Sequence, residues 1–135
     1  MVCIYCGNKT EVTNSRLQRK ANTVWRRRRC LVCHAIFTST ERVSYDSSFA
    51  IEYGTSHITP FERDVLYLSI YDACKHRKTG AADASALTET VLGKLLHLSA
   101  KDGVIPRNAL VSVVSETLQH FDMAASVHYL AYHPL

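Results

Sequence analysis

Two Cys-x-x-Cys pairs constrain the fold of this chain more than any other feature of its sequence. Cys3 and Cys6 form the first pair, Cys30 and Cys33 form the second, and 23 residues separate the two pairs. Four thiolates at this spacing complete a tetrahedron around Zn²⁺ and leave no open position for catalysis, which predicts one structural zinc ion per chain. A pair of disulfides is the alternative, and His34 is a further candidate ligand that four thiolates make unnecessary.

The charge of the chain is divided unevenly along its length. Residues 1–45 contain nine Lys/Arg and two Asp/Glu, a net charge of +7, whereas residues 46–135 contain seven and ten, a net charge of −3. A cationic segment beside an acidic remainder is typical of a nucleic-acid-binding part joined to a globular domain. The sequence shows no secretory signal pattern and no apolar run of the ~20 residues that span a bilayer, so we expect a protein of the reducing cytosol without a membrane partner.

Cationic residues between the two cysteine pairs predict a surface that binds a polyanion. This segment is expected to form two strands joined by a turn at residues 21–22. Alternation along the second strand places Arg26 and Arg28 on one face and Arg27 and Arg29 on the opposite face. The predicted DNA-contacting residues are Arg16, Arg19, Lys20, Trp25, Arg26, Arg27, Arg28, Arg29 and Arg42.

Two of these assignments have structural alternatives. A run of arginines is in most proteins a solvated face, although here it adjoins a metal site within a segment of net charge +7. Trp25, the only tryptophan, either stacks on a base or sugar beside the arginines or packs on a ribbon that is too small to have much core.

The residues after the ribbon change character. Residues 46–48 have the composition of a linker, and residues 49–58 have the pattern of a small hairpin. Thr59, Pro60 and Glu62 then predict a helix start in which Thr59 caps, Pro60 occupies the first turn and Glu62 completes a capping box.

Four short amphipathic helices are predicted to follow the hairpin. The first runs to about His76, and the later ones begin before Ala84, near Pro106 and after a capping Asp122. The residues expected to face the core of the last three are Ala84, Leu87, Val91, Leu95 and Leu98, then Leu110, Val114, Leu118 and Phe121, then Met123, Val127 and Leu130. The predicted fold class is α+β, with a β zinc ribbon over residues 1–45 and a mainly helical domain over residues 49–135.

Nothing in the sequence predicts an enzyme. Walker loops, GxGxxG motifs and Ser/His/Asp sets are missing from the pattern, and five of the histidines are scattered without metal-ligand spacing. Cys74, the remaining cysteine, lies among apolar neighbours and is expected to be buried and inert. We therefore expect a binding protein.

Five amino-terminal motifs carry a resemblance to a known family. They are Cys3-x-x-Cys6-Gly7, Asn14-Ser15-Arg16-Leu17, Arg26-Arg27-Arg28, Cys30-x-x-Cys33 and Phe37-Thr38-Ser39-Thr40-Glu41-Arg42-Val43. These motifs resemble the zinc ribbon of the NrdR repressors, bacterial regulators that switch off ribonucleotide reductase genes. A looser match, to the helical ATP-cone of that family under its small β lid, rests on Gly54, Pro60-Phe61, Ile70, Ala73-Cys74, Ile105-Pro106 and the segment from Phe121-Asp122 through Tyr132.

The resemblance implies a function for each part of the chain. The four cysteines would hold zinc, the arginines would contact operator DNA, and the cone would sense ATP against dATP and change the oligomer. In the ribbon, Trp25 stands where the family has its first arginine and Arg29 replaces a residue that is often acidic. We therefore expect DNA binding to be retained and the preferred DNA sequence to differ.

The cone departs from the family where nucleotide-binding cations are expected. Glu52 lies in the segment directly before Gly54, and Val65 stands where the first helix of the family has a lysine. A triphosphate needs several converging positive charges, so we predict weak or absent binding of ATP and dATP. The remaining candidates for contact with a nucleotide are Tyr53, His57, Arg63 and Lys75.

Together these patterns predict a zinc-dependent, DNA-binding transcriptional regulator of the bacterial cytoplasm, associated with the nucleoid. Its expected partners are double-stranded DNA and further copies of the chain, which assemble through the helical domain. The alternative is a zinc ribbon that docks on a protein or binds single-stranded nucleic acid without operator specificity.

Overall fold

Two units make up the structure, a computed structural model that describes residues 1–98 and 102–135. The first unit is Met1–Val43 and the second is Ser44–Leu135. The first unit is a β ribbon, and the second combines four α-helices with a small sheet, so the fold class is α+β as predicted. Among the described helices, none combines the length and the apolar character needed to cross a membrane.

A three-stranded antiparallel sheet forms the first unit. Its strands are β1 (Thr10–Gln18), β2 (Thr23–Cys30) and β3 (Ile36–Arg42), and β2 lies in the middle. The predicted turn between β1 and β2 is a 3₁₀ helix over Arg19–Ala21 followed by Asn22, whose φ of 48° is a conformation that asparagine tolerates. The third strand was not predicted from the sequence.

Four helices and a second sheet form the second unit. The elements in chain order are β4 (Ala50–Tyr53), β5 (His57–Pro60), α1 (Arg63–Cys74), α2 (Gly80–Leu98), β6 (Val104–Pro106), α3 (Arg107–Phe121) and α4 (Met123–Tyr132). The sheet order is β5-β4-β6, with β4 antiparallel to β5 and parallel to β6. The predicted hairpin is therefore present, and β6 is an additional strand that joins it.

The buried apolar core lies in the second unit. Its buried residues are Tyr45, Ile51, Phe61, Leu66, Ile70, Ala73, Cys74, Ala84, Leu87, Val91, Leu92, Leu95, Ile105, Val111, Val113, Val114, Leu118, Ala125 and Tyr129. Cys74 is buried, as predicted. The ribbon contributes no residue to this cluster, and its buried side chains in the described structure are Cys3, Thr10, Thr23 and Cys30. A ribbon with so little apolar burial depends on its metal site for stability.

The start of α1 differs from the prediction. Thr59 and Pro60 belong to strand β5, and the helix begins at Arg63. Its first amide donates to the carboxylate of Asp46, which lies 3.0 Å away and comes from the segment predicted to be a linker. That segment is instead part of a 3₁₀ turn that also buries Tyr45, so the capping group comes from a distant part of the sequence.

The buried face of α4 also differs from the prediction. Asp122 caps the helix as expected and accepts hydrogen bonds from the next amides. Met123 and Val127, predicted to face inward, are 59% and 63% exposed, whereas Ala125 and Ser126 are buried. The Ser126 hydroxyl donates to a carbonyl of α3, so small side chains let the two helices approach closely and turn the larger ones outward. Leu98 and Phe121, at the ends of their helices, are exposed as well.

Candidate metal centre and nucleic-acid interface

The sulfur atoms of the four predicted zinc ligands converge at one end of the ribbon. All four lie within 4.8 Å of one another, with Sγ–Sγ distances of 3.6 Å between Cys3 and Cys33 and 3.5 Å between Cys6 and Cys30. A tetrahedron with ~2.3 Å zinc–sulfur bonds has edges of about 3.8 Å, so the donor set fits the ion. None of the cysteines is in a disulfide. The four cysteines hold one structural zinc ion.

Local backbone geometry presents these sulfurs. The amide of Tyr5 donates to Cys3 Sγ, and the amide of Val32 donates to Cys30 Sγ, each at 3.4 Å. The turns that follow the two pairs have positive φ at equivalent places, 72° at Gly7 and 60° at His34. Within the described chain, the cluster of possible metal ligands consists of the four cysteines and does not include His34. Such amide–sulfur contacts orient the ligands and disperse the negative charge of the thiolates.

Asn8 supports the site in a way that sequence reasoning missed. Its side-chain amide donates to Cys6 Sγ at 3.4 Å. This hydrogen bond leads the contacts that lower the pKa of the Cys6 thiol from 9.0 to about 6. The hydrogen bond stabilises the thiolate form of Cys6, which is the form that binds a metal. The signal in the sequence was an asparagine two residues after a ligand, which is too common to be diagnostic.

The antiparallel register divides the ribbon into two faces. Paired residues on neighbouring strands share a face, and successive residues alternate. We call the side that carries Trp25, Arg27 and Arg29 the Trp25 face, and its cross-strand neighbours include Arg16 and Arg42. We call the other side the Glu41 face, and it carries Arg26, Arg28, Phe37, Ser39 and Glu41. The predicted alternation of the four arginines is therefore present.

The Trp25 face is cationic. Arg16, Arg27, Arg29 and Arg42 are all exposed. Within the described chain, the guanidinium groups of Arg16 and Arg27 have no hydrogen bond or ion pair, and Arg29 lies 3.7 Å from Glu11 in a loose, exposed pair. An exposed pair at this distance contributes little and is readily exchanged for a phosphate. This face thus presents several guanidinium groups to solvent on one side of a rigid sheet.

The Glu41 face is internally paired instead. Arg26 donates to Glu41 through two nitrogens at 2.9 and 3.2 Å, and Arg28 donates to the Ser39 hydroxyl at 2.9 Å. Both arginines are less exposed than Arg27 and Arg29. The sequence alone predicted that all four arginines contact DNA. In the structure, the side chains of Arg26 and Arg28 are hydrogen-bonded to neighbouring residues of the sheet, whereas Arg27 and Arg29 are exposed.

Two other predicted DNA-contacting residues lie away from the middle of the sheet. Arg19 and Lys20 belong to the 3₁₀ turn between β1 and β2, at the end of the ribbon opposite the cysteines. Both are exposed, so they extend the cationic surface along the length of the ribbon.

A cavity of about 310 Å³ opens beneath the small sheet of the second unit. Arg107, Glu62, Val65 and Tyr53 are among its lining residues, and of the described lining residues only Arg107 is a Lys or Arg. Arg107 also donates to the carbonyl of Pro134 at 2.8 Å. Within its described lining, the cavity therefore offers one guanidinium group, one carboxylate and the imidazole of His133, whose pKa is lowered by burial.

The structure does not bring together the four residues that were predicted to contact a nucleotide. Tyr53 lines the cavity, but His57, Arg63 and Lys75 are not among its lining residues. Arg63 is bonded to Glu89 on α2, and Lys75 lies beyond the carboxyl end of α1, where it donates to Asp72 at 2.6 Å. Arg107 was missed because nothing in its local sequence marks a residue that lines a cavity.

A carboxylate network joins the helix junctions of the second unit. Asp122 accepts from Arg77 at 3.0 Å and pairs with His76 at 3.0 Å, while Arg77 also donates to Asp83 at 2.9 Å. The His76 and Arg77 hydrogen bonds lower the pKa of the Asp122 carboxyl to about 2. This network holds the α1–α2 connection against the α3–α4 junction and is structural in character.

Comparisons with known proteins agree with this geometry. Residues 1–41 match the model of a family described as "Transcriptional repressor NrdR-like, N-terminal domain". A transcriptional repressor NrdR of Gluconacetobacter diazotrophicus is 30% identical over 135 residues, covering 98% of this chain and 74% of that protein. The NrdR of Symbiobacterium thermophilum is 30% identical over 129 residues, covering 96% and 84%, and that of Lachnoclostridium phytofermentans is 26% identical over 130 residues, covering 96% and 83%.

Proposed function

The chain belongs to the NrdR family of transcriptional repressors, and from this premise we propose that it regulates transcription by binding duplex DNA through the Trp25 face of its zinc ribbon. Residues 1–45 act as the DNA-binding part, and residues 49–135 act as the part that assembles protomers. Zinc has a structural role, because four thiolates leave it no open position.

The observation that carries this proposal is that the two faces differ in how their arginines are paired. On the Trp25 face, the guanidinium groups of Arg16 and Arg27 have no hydrogen bond or ion pair within the described chain, and Arg29 has only a loose one, so these charges are available to phosphate groups. On the Glu41 face, Arg26 is already neutralised by Glu41. We therefore assign Arg26 and Arg28 to stabilising the sheet and assign DNA contact to the opposite face.

Selection of bound duplexes from a random pool tests the DNA-binding proposal. The zinc-loaded protein is expected to enrich a subset of sequences, with affinity that falls steeply as salt increases. The variant Arg27→Gln, which keeps the sheet but removes one exposed charge, is expected to enrich the pool less. Binding that does not respond to salt, or a zinc-loaded protein that retains no duplex, contradicts the proposal.

Assembly through the helical unit completes the proposed function. One small ribbon makes few phosphate contacts, and linking several ribbons raises affinity through effective concentration. The outer face of α4 exposes Met123, Val127 and Tyr132, which a neighbouring protomer would cover. Light scattering after size-exclusion chromatography is expected to show an oligomer for the wild type and smaller species for Val127→Glu. A monomer at all concentrations contradicts this part of the proposal.

Nucleoside triphosphates are expected to bind weakly or not at all. Among the described residues that line the cavity, Arg107 is the one Lys or Arg, and the carboxylate of Glu62 opposes its attraction for a ligand of several negative charges. Val65 also lines the cavity, so Val65→Lys adds a second cation where an anion would lie. Calorimetric titration with ATP and dATP is expected to give little heat for the wild type and measurable binding for the variant. Micromolar affinity in the wild type contradicts this expectation.

A further inference from the structure

Trp25 occupies a position that core packing does not explain. It lies on the middle strand of the ribbon, directly between Arg16 on β1 and Thr40 on β3, and Arg27 follows it on the same face. It is only partly buried, and the apolar cluster of the described structure lies wholly in the second unit. A large, partly exposed aromatic ring thus stands in the centre of a cationic surface, outside the buried apolar cluster.

The strands of the sheet are spaced so that the side chains of the middle strand can enter a DNA groove while the outer strands stay at its edges. Neighbouring strands lie ~4.8 Å apart, so the outer strands β1 and β3 are about 10 Å from each other. The major groove of B-DNA is ~12 Å wide. When the Trp25 face enters the groove, the middle strand lies over the base pairs, and the outer strands lie beside the two phosphate backbones. Arg16 and Arg42, on the outer strands, are then placed for phosphates.

We infer that Trp25 is the residue that sets the sequence preference of the ribbon, by apolar contact of its indole with the C5-methyl group of a thymine in the major groove. This inference rests on the proposed duplex-binding function. Arg27, two residues further along the middle strand, contributes its charge to the attraction of the phosphate backbone.

The two residues differ in how they contribute. Trp25 carries no charge, so it releases no counterions and leaves the salt dependence unchanged. Its contribution appears only as discrimination between base pairs. Arg27 instead contributes to affinity at every sequence, because its charge acts on the phosphates.

Replacing thymine by uracil tests the contact directly, because uracil lacks only the C5-methyl group. Starting from a duplex obtained by selection with the wild type, each thymine is replaced in turn. One position is expected to lose about tenfold in wild-type affinity and to lose little with Trp25→Ser. Val24→Ala, a neighbouring change on the opposite face, is the matched control and is expected to keep the tenfold effect. Trp25→Gln, which keeps a long side chain but removes the apolar ring, provides a second variant should Trp25→Ser fail to bind zinc, and it is also expected to lose the response to uracil.

The outcomes separate this inference from the function on which it rests. A zinc-loaded wild type that binds no duplex overturns both. Duplex binding in which Trp25→Ser or Trp25→Gln keeps the same base preference and the same response to uracil overturns the role of Trp25 alone. Quenching of Trp25 fluorescence that is stronger with single strands than with duplex also overturns it, since the ring would then stack on unpaired bases.

Discussion

Neutralising Arg27 and neutralising Arg26 are expected to have different effects on DNA binding, although the two residues are adjacent and identical. The Trp25 face carries Arg16, Arg27, Arg29 and Arg42. With ~0.9 counterions released per phosphate contact, four contacts give a slope of about −3.6 in log affinity against log salt for each ribbon, or a loss of roughly 150-fold between 50 and 200 mM salt.

Arg27→Gln is expected to reduce this slope to about −2.7, which corresponds to a loss of roughly 40-fold over the same range. Arg26→Gln changes the net charge by the same amount but removes a guanidinium bound to Glu41 on the opposite face. Its slope is therefore expected to change by less than half as much.

Fluorescence anisotropy of a labelled duplex, titrated with zinc-loaded protein at several KCl concentrations, measures the slopes. Zinc stoichiometry and thermal unfolding of both variants show whether the ribbon remains folded. Equal reductions in slope for Arg26→Gln and Arg27→Gln would refute the reasoning, because binding would then depend on the total charge of the ribbon and not on the face that carries it.

Three other predictions concern stability. Cys30→Ser, or removal of zinc with a chelator, is expected to unfold the ribbon and abolish DNA binding while the second unit still melts cooperatively; calorimetry that shows an unchanged ribbon contradicts this. Gly103→Ala places a Cβ 2.7 Å from the Ser48 carbonyl oxygen at a residue whose φ is +68°. Gly54→Ala is the control, because its φ is +65° but no atom lies within 4 Å of the added Cβ, so it has only the backbone cost of about 1–2 kcal/mol. Urea unfolding should therefore show a larger loss of unfolding free energy for Gly103→Ala than for Gly54→Ala. The pKa of Asp122 is lowered to about 2, so its stabilising contribution is complete above the ordinary value of 3.8 and is lost as the pH falls through 2. The melting temperature of Asp122→Asn should therefore change less with pH between pH 4 and 2 than that of the wild type. Parallel curves of melting temperature against pH for the two proteins would count against this role of Asp122.

Features that depend on neighbouring residues were predictable from the sequence. The spacing of Cys3, Cys6, Cys30 and Cys33 determines a tetrahedral site because each pair folds back within two residues. The alternation of the arginines follows from the two-residue period of a strand. Asp122 was recognisable as a cap because its carboxylate bonds amides two and three residues away.

Features that depend on distant residues were not predictable. The carboxylate that caps α1 comes from Asp46, so the local signal at Thr59 and Pro60 indicated a start that the helix does not use. The exposed face of α4 is decided by how closely Ser126 lets it approach α3. Helical periodicity identifies a stripe of apolar residues, but the neighbouring helix determines which stripe is buried.

The sequence by itself determined that the ribbon binds zinc and is cationic, since cysteine spacing and charge are local properties. Only the tertiary structure decided which arginines are available. The third strand places Glu41 beside Arg26, leaves Arg27 unpaired within the described chain, and puts Trp25 on the middle strand. Strand pairing joins residues about 15 positions apart, and the choice of partner depends on the free energy of the whole sheet, which no short stretch of sequence contains.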